Sequence, residues 1–426
     1  MQVAAVARRR VDVRSLGSLA LFLGTLAVLS YRLLANLNIP GQPDETNLWL
    51  GDFRDAIYYP VVALLDGNNP YDVTVYRRTY PVQEQFPLYS PHSLVLHLPF
   101  GLLPYEVAEV MYFLLTIALT AALAALTLHL CAVTRRRDRV LSLTALILLS
   151  RPGYWNLLFG QSTLQIVIGC YLALRYAEEQ PWVAGLGLAL SAVKPTFGIP
   201  LAGLLLAQRN FRAVAIGVTV AGGLSLVPLA AVVHAAGGIR PFLDAALQNH
   251  TILQPIPNAL RIDTVALWGR LVGRAPTQRE DVVISMGLLG LGMLAVGRLA
   301  AASERTRWLR VGLACLTILT FTYHQNYDLL LLTLPLVALA TDPEALLRAP
   351  DALRWTLVGL MATTFANHLV GGAVVNVLRL GSWERLVVAS LNGLAVLAAL
   401  LTLSAIALLA PARRFHAGPT GTLRET

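Results

Sequence analysis

The sequence predicts an all-α polytopic membrane protein, and three observations carry that prediction. Hydrophobic residues make up 56% of the 426 and charged residues only 13%, and the mean hydropathy is +0.61, a balance far more apolar than that of a water-soluble domain. Apolar runs long enough to cross a hydrocarbon core of about 30 Å recur from one end of the chain to the other. The basic residues fall in short clusters between those runs, the placement that sets orientation in a bilayer.

The formal net charge of +9 is therefore topological, and without a continuous basic face it points to membrane lipids and not to nucleic acid. Cys131, Cys170 and Cys315 lie in apolar runs at spacings that suit neither a metal site nor a disulfide framework, and read as packing residues. Lys194 is the single lysine of the chain.

Taken in order, Arg8, Arg9, Arg10 and Arg14 precede a first span at residues 17–37 and hold the N-terminus in the cytoplasm. That span is too long for a signal-peptide core and reads as an uncleaved anchor. It delivers a first external loop, residues 38–103, with six of the fourteen tyrosines, whose ordinary reading is an interfacial aromatic belt. A second span, 104–133, returns to the cluster Arg135, Arg136, Arg137 and Arg139. A third ends at Ser150-Arg151-Pro152, and Gly160-Gln161-Ser162-Thr163 opens a fourth.

Between Trp182 and Gln208 the apolar run is split by Lys194-Pro195 into two pieces, each about 18 Å long as a helix. Neither crosses a bilayer, and the pair reads as a re-entrant hairpin with Lys194 at its tip, a broken helix of the kind that lines cavities. Further spans at 213–234, 281–300, 308–323, 328–347, 353–370 and 387–410 bring the expectation to about ten transmembrane helices plus the hairpin. Residues 235–280 form a second external loop, 1–411 one integral membrane domain, and 412–426 a cytoplasmic tail.

The candidate site centres on Gly51 to Asp72. A helix starting at Asp52 puts Asp52 and Asp55 on one face with Tyr58 and Tyr59 a turn further on, a face suited to a sugar; Asn68-Asn69-Pro70 ends it. Ionisable groups inside apolar spans cost a few kcal/mol, so each is a functional candidate. Three clusters qualify: Arg151 with Tyr154, Asn156 and Gln161; Lys194; and Tyr323 to Asp328, which contains His324 and Asn326. All three open toward the side that carries Asp52, and Arg261 joins them from the second external loop. Each has an ordinary structural reading as well. Asp52 and Asp55 could cap a helix start, Lys194 could snorkel to a headgroup, Gln161 could begin a helix, and His324 with Asp328 could tie two helix ends. His92 and His97 read as interfacial.

The stretches GDFRDAIYYPVVALLDGNNPYD, FPLYSPHSLVLHLPFGLLP, NLLFGQSTLQIVI, GLALSAVKPTFGIPLAGLLLAQRNFRA and YHQNYDLLLL, in this order, resemble glycosyltransferase family 87 over residues 45–335. The resemblance implies a GT-C-like helical bundle and a transferase of the kind that takes mannose from a polyprenyl-phosphate-linked donor. It implies an aspartate base in the first external loop, with Asp52 the counterpart and Asp55 the alternative. It also implies donor contacts from Gly160-Gln161 and Lys194-Pro195, and carries over His324.

The chemistry fits such residues. An acceptor hydroxyl needs a carboxylate to take its proton, for which Asp52 or Asp55 serves. A phosphate leaving group needs positive charge, supplied by Lys194, His324 and Arg261. Tyr58 and Tyr59 stack on sugar, and Gln161, Asn326 and Asp328 contact sugar or acceptor. A single displacement predicts inversion at the anomeric carbon. No acid-any-acid sequence of the kind used with nucleotide sugars occurs, so no metal or other cofactor is expected. The acceptor, a glycolipid or glycan, stays open. The alternative is a transporter or flippase for a lipid-linked sugar or other polar solute, although no inverted repeat supports it; a third reading is a non-catalytic assembly factor.

Overall fold

A computed structural model describes residues 13–34, 49–253, 260–300, 306–346, 349–369 and 381–409. Every extended element among them is helical, the one β feature being an isolated antiparallel bridge between Arg261 and Gln325. The chain is an all-α polytopic membrane protein, as its composition predicts.

Helix α1 (Val13–Leu34) leads to a segment that starts with α2 (Gly51–Phe53), continues through a π turn (Arg54–Tyr58) and runs on as α3 (Tyr59–Leu65). The π turn has a local cause. Pro60 near the start of α3 has no N–H to donate and its ring crowds the preceding turn, and the wider turn accommodates both. Helices α4 (Val73–Thr79), α5 (His92–Leu96) and α6 (Leu98–Gly101) complete the first loop. Asp72 caps α4, accepting from the N–H groups of Thr74 and Val75 at 3.0 Å each.

After α7 (Tyr105–Leu130) come α8 (Arg137–Leu149), α9 (Arg151–Phe159) and α10 (Thr163–Tyr176). Ser150 caps α9, Pro152 sits in its first turn, and Gly160 ends it in the left-handed conformation. The broken apolar run is α11 (Pro181–Ser191) and α12 (Pro195–Ala207), whose arms diverge: α11 lies against α10 and α13 (Phe211–Ala235), whereas α12 packs on α16 (Gln278–Ala300) and α17 (Arg307–Phe321). Between α13 and α16 stand α14 (Ile239–Leu253) and α15 (Thr264–Val272). A 3₁₀ helix (Asn326–Leu332), α18 (Thr333–Thr341), α19 (Asp351–Ala366) and α20 (Ser382–Leu409) finish the described chain.

Among the described residues five helices, α1, α7, α13, α16 and α20, are long and apolar enough to cross a bilayer. The expected count of about ten is higher because several of the expected spans form helices of only 9 to 16 residues. The turns at Ser150 and Lys194 and the extended residues before the 3₁₀ helix divide apolar runs into shorter helices, many of whose residues are buried in protein. The first loop also differs from an aromatic belt. Tyr58, Tyr71, Tyr76, Tyr80 and Tyr89 are buried, as are His92 and His97, so this loop packs into the apolar core that it shares with the helices. The N-terminal arginines before residue 13 and the tail 412–426 lie outside the described residues.

Candidate active site

The first loop, the α9–α10 corner, the tip between α11 and α12, the stretch entering α15 and the strand-like residues before the 3₁₀ helix meet around one cavity of about 440 Å³. That volume suits a sugar headgroup or similar small molecule. Its wall includes Asp52, Asp55, Gln161, Lys194, Arg261 and Asp328, drawn from the clusters that stood out in the sequence.

Asp52 is held there by backbone packing. Leu50 adopts a left-handed conformation (φ 48°) and its N–H donates to Leu158 C=O at 2.6 Å. Gly160 (φ 69°) sits so close that a Cβ would lie 2.7 Å from Phe53 Cβ. The end of α9 is thereby fastened to the turn that carries Asp52, and Gln161 follows directly. Gln161 Nε2 donates to Asp52 Oδ2, and Gln161 Oε1 accepts from Lys194 Nζ at 3.0 Å. Burial pushes the Asp52 carboxyl up from 3.8 to about 7; the Gln161 hydrogen bond and Lys194 pull it down, while Asp55 and Glu84 push it further up.

Lys194 is buried at the tip between α11 and α12. Its ammonium also donates to Thr163 Oγ1 (3.1 Å) and Asp328 Oδ1 (3.3 Å) and stands 4.8 Å from the centre of the Tyr327 ring. Asp328 in turn accepts from the Gln325 N–H (3.0 Å) and faces His324 Nδ1 (3.2 Å). His324 is fully buried behind that carboxylate, with its ring edge-on to Phe197 and its N–H directed to Asp263 Oδ2 at 3.3 Å.

Counting hydrogen-bond partners separates the acids. A carboxylate has about four acceptor positions. Asp328 fills them with Lys194, Thr163, His324 Nδ1 and the Gln325 N–H. Asp55 fills them with two contacts from Arg54 and the N–H groups of Gln83 and Glu84. Asp263 fills them with two from Arg261 and the N–H groups of Ala266 and His324. Asp52, among the described residues, receives Gln161 alone. Glu84, also on the wall, is exposed to solvent, and of the other carboxylates counted here Asp52 is the one with capacity left for an incoming hydroxyl.

Several expected site residues stand elsewhere. Tyr58 donates to Leu103 C=O (2.8 Å) and packs with Tyr59 against Tyr105, and neither tyrosine reaches the cavity. The wide π turn and the aromatic core around Phe53 direct them inward to protein. Asn326 accepts from Asn392, which accepts from Asn367, a polar ladder joining the 3₁₀ helix to α20 and α19. His324 is behind the wall, so its influence passes through Asp328. Arg261 is on the wall, but Asp263 holds it at 2.9 Å through both Nε and Nη2. The aromatic lining comes instead from Tyr89, Tyr323 and Tyr327, and Glu84 adds an exposed carboxylate. Tyr323 and Tyr327 belong to the Tyr323 to Asp328 cluster that stood out in the sequence, whereas Tyr89, before Ser90-Pro91, is marked only once the cavity is known.

Fold and cavity together define a helical membrane protein with a largely apolar cavity in which a carboxylate and an ammonium are joined through one amide. The model of glycosyltransferase family 87 matches residues 87–323, more than half of the chain, and the chain belongs to that family. The match takes in Tyr89, Gln161, Lys194 and Arg261 and lies between Asp52 on one side and His324 and Asp328 on the other. Comparison with curated proteins and with solved structures returns no match.

Proposed function

We propose that this glycosyltransferase moves a hexose, mannose in the first instance, from a polyprenyl-phosphate-linked donor to a hydroxyl of a glycolipid or glycan at the outer face of the membrane. Asp52 takes the proton of the acceptor hydroxyl as the new bond forms. Lys194 faces the departing phosphate, whose growing charge is worth most to an ammonium in a water-poor site. A phosphate is already a weak base, so no acid is needed to protonate it. Attack from the side opposite the phosphate inverts the anomeric carbon.

The observation that carries this reading is the partner count at Asp52. It has room for a hydroxyl, whereas Asp55, Asp263 and Asp328 are filled. Its raised carboxyl also matches a general base that works near neutral pH. The cavity of about 440 Å³ holds a sugar and phosphate and leaves a long lipid chain in the bilayer.

The test is transfer of labelled mannose from polyprenyl-phosphate mannose to endogenous acceptors in membranes carrying the wild-type chain or Asp52→Asn. Transfer by wild type and none by the variant, with donor binding retained in both, is the expected result. Equal transfer by the two chains would remove Asp52 as the base, and no transfer by wild type would remove this donor.

A further inference from the structure

Gln161 was expected to touch sugar or acceptor, yet both ends of its amide are committed to protein. Lys194 Nζ carries donors only, so the Gln161 atom 3.0 Å from it is the carbonyl oxygen. The amide nitrogen therefore faces Asp52, and the Asp52 oxygen that meets it, Oδ2, must accept. The orientation follows from the partners and does not depend on telling O from N in the amide.

We propose that Gln161 is a positioning residue for Asp52: its amide occupies Oδ2, leaves Oδ1 to receive the acceptor proton, and keeps the carboxylate ionised by relaying the positive charge of Lys194. This deepens the reading of Asp52 as the base and rests on it.

Two features support the assignment. The backbone beside both residues is locked, through the Leu50 to Leu158 hydrogen bond of 2.6 Å and the contact of Gly160 with Phe53, so their separation is set by the fold. The chain Lys194 to Gln161 to Asp52 also runs in one sense, every N–H pointing toward the carboxylate, an arrangement in which each bond strengthens the next. Other groups act on Asp52 as well. Asp55 on its own segment and Glu84 after α4 disfavour a second negative charge there, Lys194 favours it, and Tyr89, Tyr323 and Tyr327 around it stay neutral. Gln161 is the group that bonds the carboxylate directly.

The experiment measures kcat and KM against pH for wild type, Gln161→Met, Gln161→Glu and Asp52→Asn, each reconstituted in lipid with polyprenyl-phosphate mannose. Methionine keeps the length and removes both hydrogen bonds. Its kcat should fall at least about tenfold, and its acid limb should move up by about one pH unit, the size expected of a lost hydrogen bond to a charged group. Donor KM should change by a smaller factor, since Lys194 keeps Thr163 and Asp328. In Gln161→Glu the new carboxyl donates to Asp52 only while protonated, so a descending alkaline limb absent from wild type should appear. A merely structural role lowers the amount of active protein and moves neither limb.

If the limbs of both Gln161 variants coincide with that of wild type while Asp52→Asn is inactive, Gln161 loses this role and Asp52 keeps its own. If Asp52→Asn transfers as wild type does, the parent reading fails first.

Discussion

Lys194→Met tests the pairing on which the site is built. The ammonium is buried and donates to Gln161, Thr163 and Asp328 at 3.0 to 3.3 Å. Removing one partner of a buried ion pair costs about 3–5 kcal/mol, chiefly because the other charge is left uncompensated. Here Asp328 keeps Thr163, His324 Nδ1 and the Gln325 N–H, so the low end of the range applies, about 3 kcal/mol. The purified variant should melt a few degrees below wild type, and it should bind labelled polyprenyl-phosphate mannose at least about tenfold more weakly, since a charge-assisted contact is worth about 1.5–3 kcal/mol. Adding Asp328→Asn then separates stability from function. The Asn oxygen can stay on the Gln325 N–H while its NH₂ turns to Thr163 Oγ1, so no unpaired charge remains. The double variant should recover most of the lost melting temperature and none of the donor binding. If Lys194→Met melted with wild type, or the second substitution restored nothing, the ion pair would not be what holds the tip of the α11–α12 break. Unchanged donor affinity would refute the phosphate contact.

Four further outcomes follow from the same geometry. In wild type, transfer should rise as pH passes about 7, because burial lifts the Asp52 carboxyl and a base acts only when ionised; a rate independent of pH from 6 to 8 would contradict this. That raised value has an opposite consequence for stability. The fold disfavours ionised Asp52, so stability falls as pH rises from the unfolded value of 3.8 to about 7, and Asp52→Asn should melt above wild type at pH 8 and with it near pH 4. Asp55→Asn strips Arg54 of its buried carboxylate partner and should cost about 2–3 kcal/mol in melting experiments, while the specific activity of the folded fraction stays within a few fold of wild type. Gly160→Ala puts a Cβ 2.7 Å from Phe53 Cβ at a left-handed φ of 69°, and should lower both stability, by about 1–3 kcal/mol, and transfer, by shifting Asp52 from Gln161.

The residues that gather around the cavity were legible because polar groups are conspicuous in an apolar chain. Gln161, Lys194 and the Tyr323 to Asp328 stretch each interrupt an apolar run, and membrane insertion leaves few reasons to keep such groups. Their individual roles were less legible. Asp52 and Asp55 share a face at regular helical spacing, but the π turn from Arg54 to Tyr58 changes the angle between successive side chains. Two of the four donors that fill Asp55 come from its neighbour Arg54, and the other two from the backbone of Gln83 and Glu84, almost thirty residues away. No local pattern announces the latter two. His324 and Asp328 read as a matched pair at four-residue spacing, yet the short 3₁₀ helix puts one carboxylate on the wall and the imidazole behind it. Tyr58 and Tyr59 drew notice as neighbours of the acids, whereas packing around Phe53 claims them.

The same pairing explains how several charges coexist around one small cavity. Arg54 with Asp55, Arg261 with Asp263 and Lys194 with Asp328 are cation and carboxylate in contact, at 2.6, 2.9 and 3.3 Å. Each such carboxylate is surrounded by donors, and its charge is spent in holding a cation in place. Lys194 differs from the two arginines in reaching, through Gln161, a carboxylate that has no cation in contact with it. The residual negative charge of the wall then falls on Asp52 and on the solvent-exposed Glu84, and the cation linked to Asp52 is the one proposed to meet phosphate. In the proposed reaction an acceptor hydroxyl between Asp52 and an anomeric carbon gives up its proton on one side as charge grows on the phosphate at the other, which would put the developing charges at the two ends of one hydrogen-bonded chain. Environment, and not residue type, divides these acids into those that hold cations and the one proposed to react.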